Sequence, residues 1–115
     1  MPVHSTPHFL CARALLIASL VFSASPTVAG EAEPADRGRQ IFTEVAEPQC
    51  AACHTLADAQ ATGEIGPNLD ELKPTRDRVR AAVTNGIGVM PAYGEILSAE
   101  QIDAIVEYVS GAVAK

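Results

Sequence analysis

Cys50-Ala51-Ala52-Cys53-His54 is the stretch of this 115-residue chain that decides how the rest of it folds. It matches the pattern C-x-x-C-H, which is typical of covalent attachment of a c-type haem. Two thiols separated by two residues on a turn can add to the two vinyl groups of one haem, and the adjacent imidazole then faces the iron from the same side. The motif therefore predicts one haem c, attached through Cys50 and Cys53, with His54 as an axial ligand of the iron.

Two other kinds of site also use a C-x-x-C pair. A thioredoxin-like dithiol lies between a strand and a helix in an α/β fold, whereas here a helix is predicted before the motif and no strand is evident. A tetrahedral zinc site needs four ligands, and residues 31–115 contain no Cys or His outside the motif. Zinc would therefore require carboxylates or a second chain. Haem attachment is the favoured interpretation, and the dithiol and the zinc site are its alternatives.

The second axial ligand is predicted by elimination. His4 and His8 precede residue 30, so His54 is the only histidine in the remainder and a bis-histidine haem cannot form within one chain. Apart from Met1, the only methionine is Met90. It lies just before Pro91 in a glycine-containing loop, where a methionine that fills a helical core would not be placed. We therefore predict Met90 as the distal ligand.

Residues 1–30 are interpreted as a secretory signal peptide, and residues 31–115 as a single domain. The lone Arg13 is followed by the apolar run ALLIASLVF (14–22) and then by small residues that offer a cleavage site at Ala29 or Gly30. The apolar run is shorter than the roughly 20 residues that span a bilayer. This pattern predicts export to the periplasm, no membrane span after cleavage, and loss of Cys11 with the leader.

Size and charge narrow the function of residues 31–115. A domain of this length has a marginal hydrophobic core, and a bound cofactor is the expected additional source of stability. The segment contains fourteen Asp and Glu residues against seven Lys and Arg. This acidic balance argues against binding to nucleic acid and predicts redox partners with a basic docking patch.

Apolar periodicity predicts an all-α domain with three to four helices and long loops. The first helix is expected to be capped by Asp36 and to end at about Val45, before Pro48. The segment 49–69 reads as a long loop that contains one short helix from Cys53 to Ala57.

Two further helices follow the long loop. One is capped by Thr75 or Asp77 and is ended by Asn85-Gly86. The last begins with a capping box formed by Ser98 and Gln101. Its apolar face contains Ile102, Ile105, Val106, Val109 and Val113.

Over residues 36–113 the chain resembles the class I cytochromes c, and this resemblance implies that family's fold around one covalently attached haem. Gly38 and Phe42 resemble the pair that packs on the last helix, where Ile105 and Tyr108 stand at the corresponding positions. Gly66-Pro67-Asn68-Leu69 (66–69) resembles the turn after the haem motif, and Met90-Pro91-Ala92-Tyr93 (90–93) resembles the axial-methionine loop of the short bacterial members. The resemblance implies that the Pro67 carbonyl accepts a hydrogen bond from His54 and so orients it.

A haem with His54 and Met90 as ligands has both axial positions filled, which suits electron transfer rather than catalysis. We therefore expect a periplasmic electron carrier, not an enzyme, that shuttles single electrons between a dehydrogenase or other oxidoreductase and a high-potential acceptor. It is expected to be a monomer that forms transient complexes. One alternative is a dedicated haem subunit of a periplasmic oxidoreductase, for example one acting on sulfite or alcohols. Another is a haem sensor or enzyme, which needs an open iron site.

The surroundings of the haem are predicted in less detail. The apolar residues expected to bury it are Leu69, Ile87, Val89, Ile96 and Leu97. Arg76, Arg80 and Tyr93 are candidate partners of the propionates, and the alternative for the two arginines is a solvated charged face.

Overall fold

The structure, a computed structural model, describes residues 1–3, 30 and 33–115. The features that predict the signal peptide, namely Arg13 and the apolar run 14–22, lie outside these residues. Cys11, which is expected to be lost with the leader, also lies outside them. In the part of the chain that is described, no helix is both long enough and apolar enough to cross a membrane.

The described domain is mostly helical, which confirms the all-α prediction. It has five α-helices, two of which are single turns of four residues, and one very short antiparallel hairpin. In chain order the elements are α1 (Pro34–Gln40), a π-helical turn (Ile41–Val45), α2 (Cys50–Cys53), β1 (Thr55–Leu56), a 3-10 turn (Ala57–Ala59), β2 (Ala61–Thr62), α3 (Leu69–Leu72), α4 (Arg76–Asn85) and α5 (Ala99–Val113).

The first helix begins earlier than predicted. Its first residue is Pro34 and its N-cap is Glu33, so the prediction of Asp36 as the cap is wrong. Proline suits this position because its φ angle is already helical and its missing N–H has no intrahelical acceptor there. The predicted end at about Val45 is confirmed, since the π-helical turn continues the helix to Val45 and Ala46 is extended.

The last two long helices begin where their caps predict. The Thr75 hydroxyl accepts a hydrogen bond from the Arg78 N–H at the start of α4, and Thr75 rather than Asp77 is the cap. At the start of α5, Ser98 and Gln101 form both hydrogen bonds of the predicted capping box. These side chains satisfy N–H groups that have no partner inside the helix.

Helices α1 and α5 cross in direct backbone contact at Gly38. A Cβ atom added to Gly38 would overlap the Ala104 carbonyl and would lie 2.5 Å from Tyr108 Cβ. One turn after Gly38, in the π-helical turn, the ring of Phe42 packs edge-on against that of Tyr108, with 6.0 Å between their centroids. Phe42 and Ile105 are almost completely buried beside this crossing. Gly38 and Phe42 therefore pack on the last helix, as the resemblance implied.

The segment between α1 and α4 is more structured than a loop. The short helix predicted from Cys53 to Ala57 is wrong, because α2 ends at Cys53 and His54 is already extended, with φ −110° and ψ 140°. Thr55 and Leu56 then pair with Thr62 and Ala61 in the two-residue hairpin. Strands this short leave no alternating pattern in the sequence, which explains why they were not predicted.

Candidate haem-binding site

A cavity of about 570 Å³ opens between the segment that carries the C-x-x-C-H motif and the loop that carries Met90. Cys50, Cys53, His54 and Met90 all line it. The volume lies within the range of about 300–1,000 Å³ that is usual for cofactor and ligand sites. The structure thus brings the four residues predicted to attach and ligate a haem to one place.

The two cysteines stand on the single turn of α2, where Cys50 is buried and Cys53 is half-buried. They are not joined by a disulfide. Burial raises the pKa of the Cys50 thiol to about 11, and the neighbouring Cys53 adds to the shift. A redox-active C-x-x-C pair has a thiol of lowered pKa, so this environment opposes the dithiol alternative, as does the helix rather than strand that precedes the motif.

His54 follows α2 with its ring against the turn that contains Pro67. Its Nδ1 atom lies 2.8 Å from the Pro67 carbonyl oxygen. Because a carbonyl can only accept, the neutral ring must carry its proton on Nδ1, which leaves the lone pair of Nε2 free for a metal. The contact that the resemblance implied for Pro67 is therefore present, and it fixes both the tautomer and the direction of the ring.

Two glycines allow the chain to pass close to the motif. A Cβ atom on Gly66 would lie 2.5 Å from His54 Cε1, and one on Gly63 would lie 2.5 Å from the Cys53 carbonyl carbon. The Gly66 N–H donates to the Cys53 carbonyl oxygen at 2.7 Å. Gly63 was not predicted as part of the site, because its role depends on a close approach that the sequence alone does not indicate.

Met90 ends a tight turn at the edge of the cavity. The Ile87 and Met90 backbones exchange hydrogen bonds of 3.1 and 3.0 Å, and Gly88 between them has a φ of +58°. The Met90 side chain is half-buried and packs against the core. Gly86 precedes the turn with a φ of +70°, and a Cβ atom there would lie 2.7 Å from the Met90 carbonyl oxygen.

The axial-methionine loop, defined as residues 86–94, is held at both ends by the last turn of α4. The Gly86 N–H donates to the Ala82 carbonyl at 2.8 Å where the loop begins. Where it returns, the Tyr93 and Gly94 N–H groups donate to the Val83 and Thr84 carbonyls at 2.8 and 3.1 Å. These bonds satisfy carbonyls that the end of a helix leaves without partners and thereby fix the loop over the cavity.

The apolar lining agrees in part with the prediction. Leu69, Ile87 and Val89 line the cavity, but Ile96 and Leu97 do not. Leu97 is buried in the helical core instead, and Ile96 is more than half exposed to solvent beside it. Both follow the axial-methionine loop, after the chain has turned back towards α5, and this return could not be placed from the sequence.

The candidate partners of the propionates are corrected by the structure. Arg76 pairs with Glu107 and Arg80 with Asp103, both on α5, and neither arginine lines the cavity. These are exposed ion pairs, as the alternative of a solvated charged face anticipated. Arg78 is two residues away from each of these arginines and therefore lies on nearly the opposite face of α4. On that face it lines the cavity.

Tyr93 does line the cavity, but its hydroxyl donates a 2.6 Å hydrogen bond to the Pro48 carbonyl. Burial is the main cause that raises the pKa of Tyr93 to about 12, so the hydroxyl keeps its proton at neutral pH. The Tyr93–Pro48 contact joins residues 45 apart in the chain and could not have been predicted from the local sequence.

The residues present fit a covalently attached haem. Two free thiols, an imidazole with a free Nε2 and a thioether face one apolar cavity. Among the described residues, no three His, Cys, Asp or Glu side chains come together in a way that could hold a metal ion.

Comparison with known proteins gives consistent matches. The family model described as cytochrome C oxidase, cbb3-type, subunit III matches residues 33–109. The cytochrome c6 of Rippkaea orientalis (strain PCC 8801 / RF-1) is 32% identical over 97 residues, covering 73% of this chain and 73% of that protein. The cytochrome c6 of Microcystis aeruginosa is 38% identical over 76 residues, covering 63% of this chain and 89% of that protein.

A solved structure is also similar to this one. It is the c-type cytochrome SorU from Sinorhizobium meliloti, with a TM-score of 0.69 and 61% sequence identity. The match covers 74% of this chain and 97% of that protein.

Proposed function

Since this chain belongs to the class I c-type cytochromes, which carry electrons on covalently bound haem c, we propose that it is a periplasmic single-electron carrier with one haem. It would accept an electron from a dehydrogenase or other oxidoreductase and pass it to a high-potential acceptor. The observation that carries this proposal is the convergence of Cys50, Cys53, His54 and Met90 on one cavity.

Each of these residues has a distinct role in the proposal. Cys50 and Cys53 form the two thioether bonds, and α2 sets the spacing between them. His54 binds the iron through Nε2, while the Pro67 carbonyl holds its Nδ1 proton and raises the basicity of the ring. Met90, on the loop at the edge of the same cavity, would supply the second protein ligand of the iron. Pro67 is thus part of the haem site without touching the iron.

The bound haem supplies an iron that changes by one charge between its two oxidation states. The Met90 thioether is a soft ligand that favours the ferrous form and raises the reduction potential. The apolar lining acts in the same direction, because a low-dielectric surrounding disfavours the extra positive charge of the ferric form. With His54 and Met90 both bound to the iron, an exogenous ligand would have to displace one of them, which favours a carrier over a sensor or an enzyme.

The proposed location and partners depend on the sequence. The pattern of residues 1–30 supports export to the periplasm. The acidic balance of the remainder supports transient docking of a monomer to redox proteins that carry a basic patch. Association with such a partner should slow as ionic strength rises, because salt screens the attraction. A rate that does not depend on salt would contradict electrostatic steering and leave the haem assignment untouched.

The test of the proposal is the absorption spectrum of the haem-loaded protein in both oxidation states. Methionine sulfur on ferric haem gives a weak near-infrared band, and we expect this band in the wild type and its loss in Met90→Ala. Val89→Ala is the matched control, because Val89 precedes Met90 in the same loop and lines the cavity without offering a ligand atom.

An attached haem without the near-infrared band would contradict the proposal. If the reduced protein also bound carbon monoxide readily, the sixth position would be open. The sensor or enzyme interpretation would then replace the carrier.

A further inference from the structure

Three parts of the chain meet at Tyr93, whose side chain is only 3% exposed. Its backbone N–H donates to the Val83 carbonyl in the last turn of α4 at 2.8 Å. Its own carbonyl accepts from the Leu97 N–H at 2.8 Å, at the approach to α5. Its hydroxyl donates to the Pro48 carbonyl at 2.6 Å. The two backbone bonds position Tyr93 between the end of α4 and the approach to α5. The hydroxyl bond connects it to Pro48.

The hydroxyl bond connects the segment that carries the C-x-x-C-H motif to the segment that carries Met90. Pro48 stands two residues before Cys50, and Tyr93 stands three residues after Met90. Within the described residues, it is the only hydrogen bond between segment 86–97 and segment 46–54.

This placement matters because the haem and the distal ligand are carried by different elements. A haem tethered to Cys50 and Cys53 keeps its position relative to α2, whereas Met90 keeps its position relative to α4, to which its loop is bonded. The distance between the Met90 sulfur and the tethered iron therefore depends on how segment 86–97 sits against segment 46–54. A ligand bond of this kind is sensitive to displacements of a fraction of an ångström.

We propose that Tyr93 is a positioning residue for the distal ligand. Its hydroxyl, bonded to Pro48, holds the axial-methionine loop against segment 46–54, to which the haem is tethered, and keeps Met90 on the iron. The inference rests on the ligation by His54 and Met90 proposed above. It also replaces the earlier expectation that Tyr93 serves a propionate, because a hydroxyl has one proton to donate and Pro48 already receives it.

The test compares Tyr93→Phe with the wild type in the haem-loaded ferric protein. The substitution keeps the buried ring and removes only the hydroxyl. Imidazole, added as an external ligand, displaces methionine from the iron, and its dissociation constant can be followed through loss of the near-infrared band. Loss of one neutral hydrogen bond that favours the methionine-bound state should lower this constant about fivefold.

Tyr108→Phe is the matched control. Tyr108 is also a buried tyrosine, but in the described part of the chain its hydroxyl forms no hydrogen bond to segment 46–54 or to segment 86–97, and its side chain does not line the cavity. The imidazole constant of this variant should equal that of the wild type. Reduced stability of both variants in denaturant would not affect this comparison, because the readout is the exchange of one ligand in the folded protein.

Three outcomes decide the matter. A lowered imidazole constant in Tyr93→Phe alone supports the proposal. An unchanged constant in Tyr93→Phe, even with reduced overall stability, overturns it, because Tyr93 would then support the fold without positioning the ligand. Absence of the near-infrared band from the wild type would overturn the proposed ligation itself, and this inference with it.

Discussion

The crossing of α1 and α5 and the cavity that borders it differ in what completes their packing. At the crossing, Gly38 brings one backbone against Ala104, and Phe42 packs edge-on against Tyr108. On the cavity side, apolar side chains from five parts of the chain line a cavity of about 570 Å³. The chain's own atoms complete the packing of the helical frame, meaning α1 and α5 at their crossing, whereas we expect a bound cofactor to complete the packing on the cavity side.

The strongest way to break this comparison is to remove the attachment of the cofactor. In the double variant Cys50→Ala/Cys53→Ala, we expect loss of most of the helical far-UV circular dichroism and of a cooperative unfolding transition. A domain of this size has a small free energy of unfolding, and without the haem the apolar lining of its cavity would be exposed to water. The control is Ala52→Ser, at the exposed position between the two cysteines, which should retain both signals.

A double variant that kept a cooperative transition would show that the cavity side folds without its cofactor. The distinction between the two halves of the core would then be lost.

The next largest effect is expected at the helix crossing. Gly38→Ala should lower the free energy of unfolding by about 3 kcal/mol, because the added methyl overlaps a backbone carbonyl that cannot move without separating the helices. Denaturant titration measures this change. Gly111→Ala on α5 is the matched control, since a Cβ atom there meets nothing within 4 Å. That variant should gain about 0.5 kcal/mol from better helix propensity. Equal shifts in both variants would contradict closure of the frame by backbone contact.

A smaller effect, now on the cavity side, is expected at Gly86. Its φ of +70° excludes other residues, and a Cβ atom would crowd the Met90 carbonyl oxygen at 2.7 Å and the Ala92 nitrogen at 2.9 Å. Gly86→Ala should cost about 2 kcal/mol in unfolding free energy and weaken the near-infrared band of the ferric protein. Gly88→Ala is the control, because Gly88 also has a positive φ but has open space around it. It should cost only about 1 kcal/mol, from backbone conformation, and leave the band intact.

The smallest effect is expected from the ion pairs on the outside of the frame. The hydrogen bond from Arg76 is the main cause that holds the pKa of Glu107 below its ordinary value of 4.5. A carboxylate with a lowered pKa in the folded state stabilises that state above its unfolded pKa, and this contribution is lost as pH falls through the folded pKa. Stability should therefore decline slightly as the solution is acidified below about pH 4.5.

Glu107→Gln should reduce the slope of this decline, measured as the denaturation midpoint against pH. Glu44→Gln removes the same charge at an exposed position that forms no ion pair with another described residue, and it should leave the Glu107 contribution in place. An equal effect of the two substitutions would mean that the Arg76–Glu107 pair contributes nothing beyond net charge, as many exposed pairs do.

The predictions of where α4 and α5 begin were confirmed, because they depend on short-range patterns. The cap of α4 at Thr75 and the capping box of α5 at Ser98 follow from hydrogen bonds between residues three apart. The assignment of the C-x-x-C-H motif and Met90 to one haem rests on chemistry and stays a prediction, which their position around one cavity supports. The contact of Pro67 with His54 was implied by the family and not by the residues themselves.

The predictions that failed depend on contacts that the local sequence does not encode. Arg76 and Arg80 were placed correctly on one face of α4, but that face meets α5 rather than the cavity. The direction in which a helix turns its charged face is set by the packing of the whole domain. The bond between Tyr93 and Pro48 is similar, since it becomes visible only once residues far apart in the chain are brought together.

The axial-methionine loop begins and ends on the same turn of α4, because Ala82, Val83 and Thr84 receive the backbone N–H groups at its two ends. A loop whose ends are held this close together can vary independently of the helices. Residues 87–92, apart from Met90, can be exchanged while the helices remain in place. Under the proposed ligation by Met90, changes at the other loop positions would alter the surroundings of the iron, and with them the driving force of electron transfer, without rebuilding the fold.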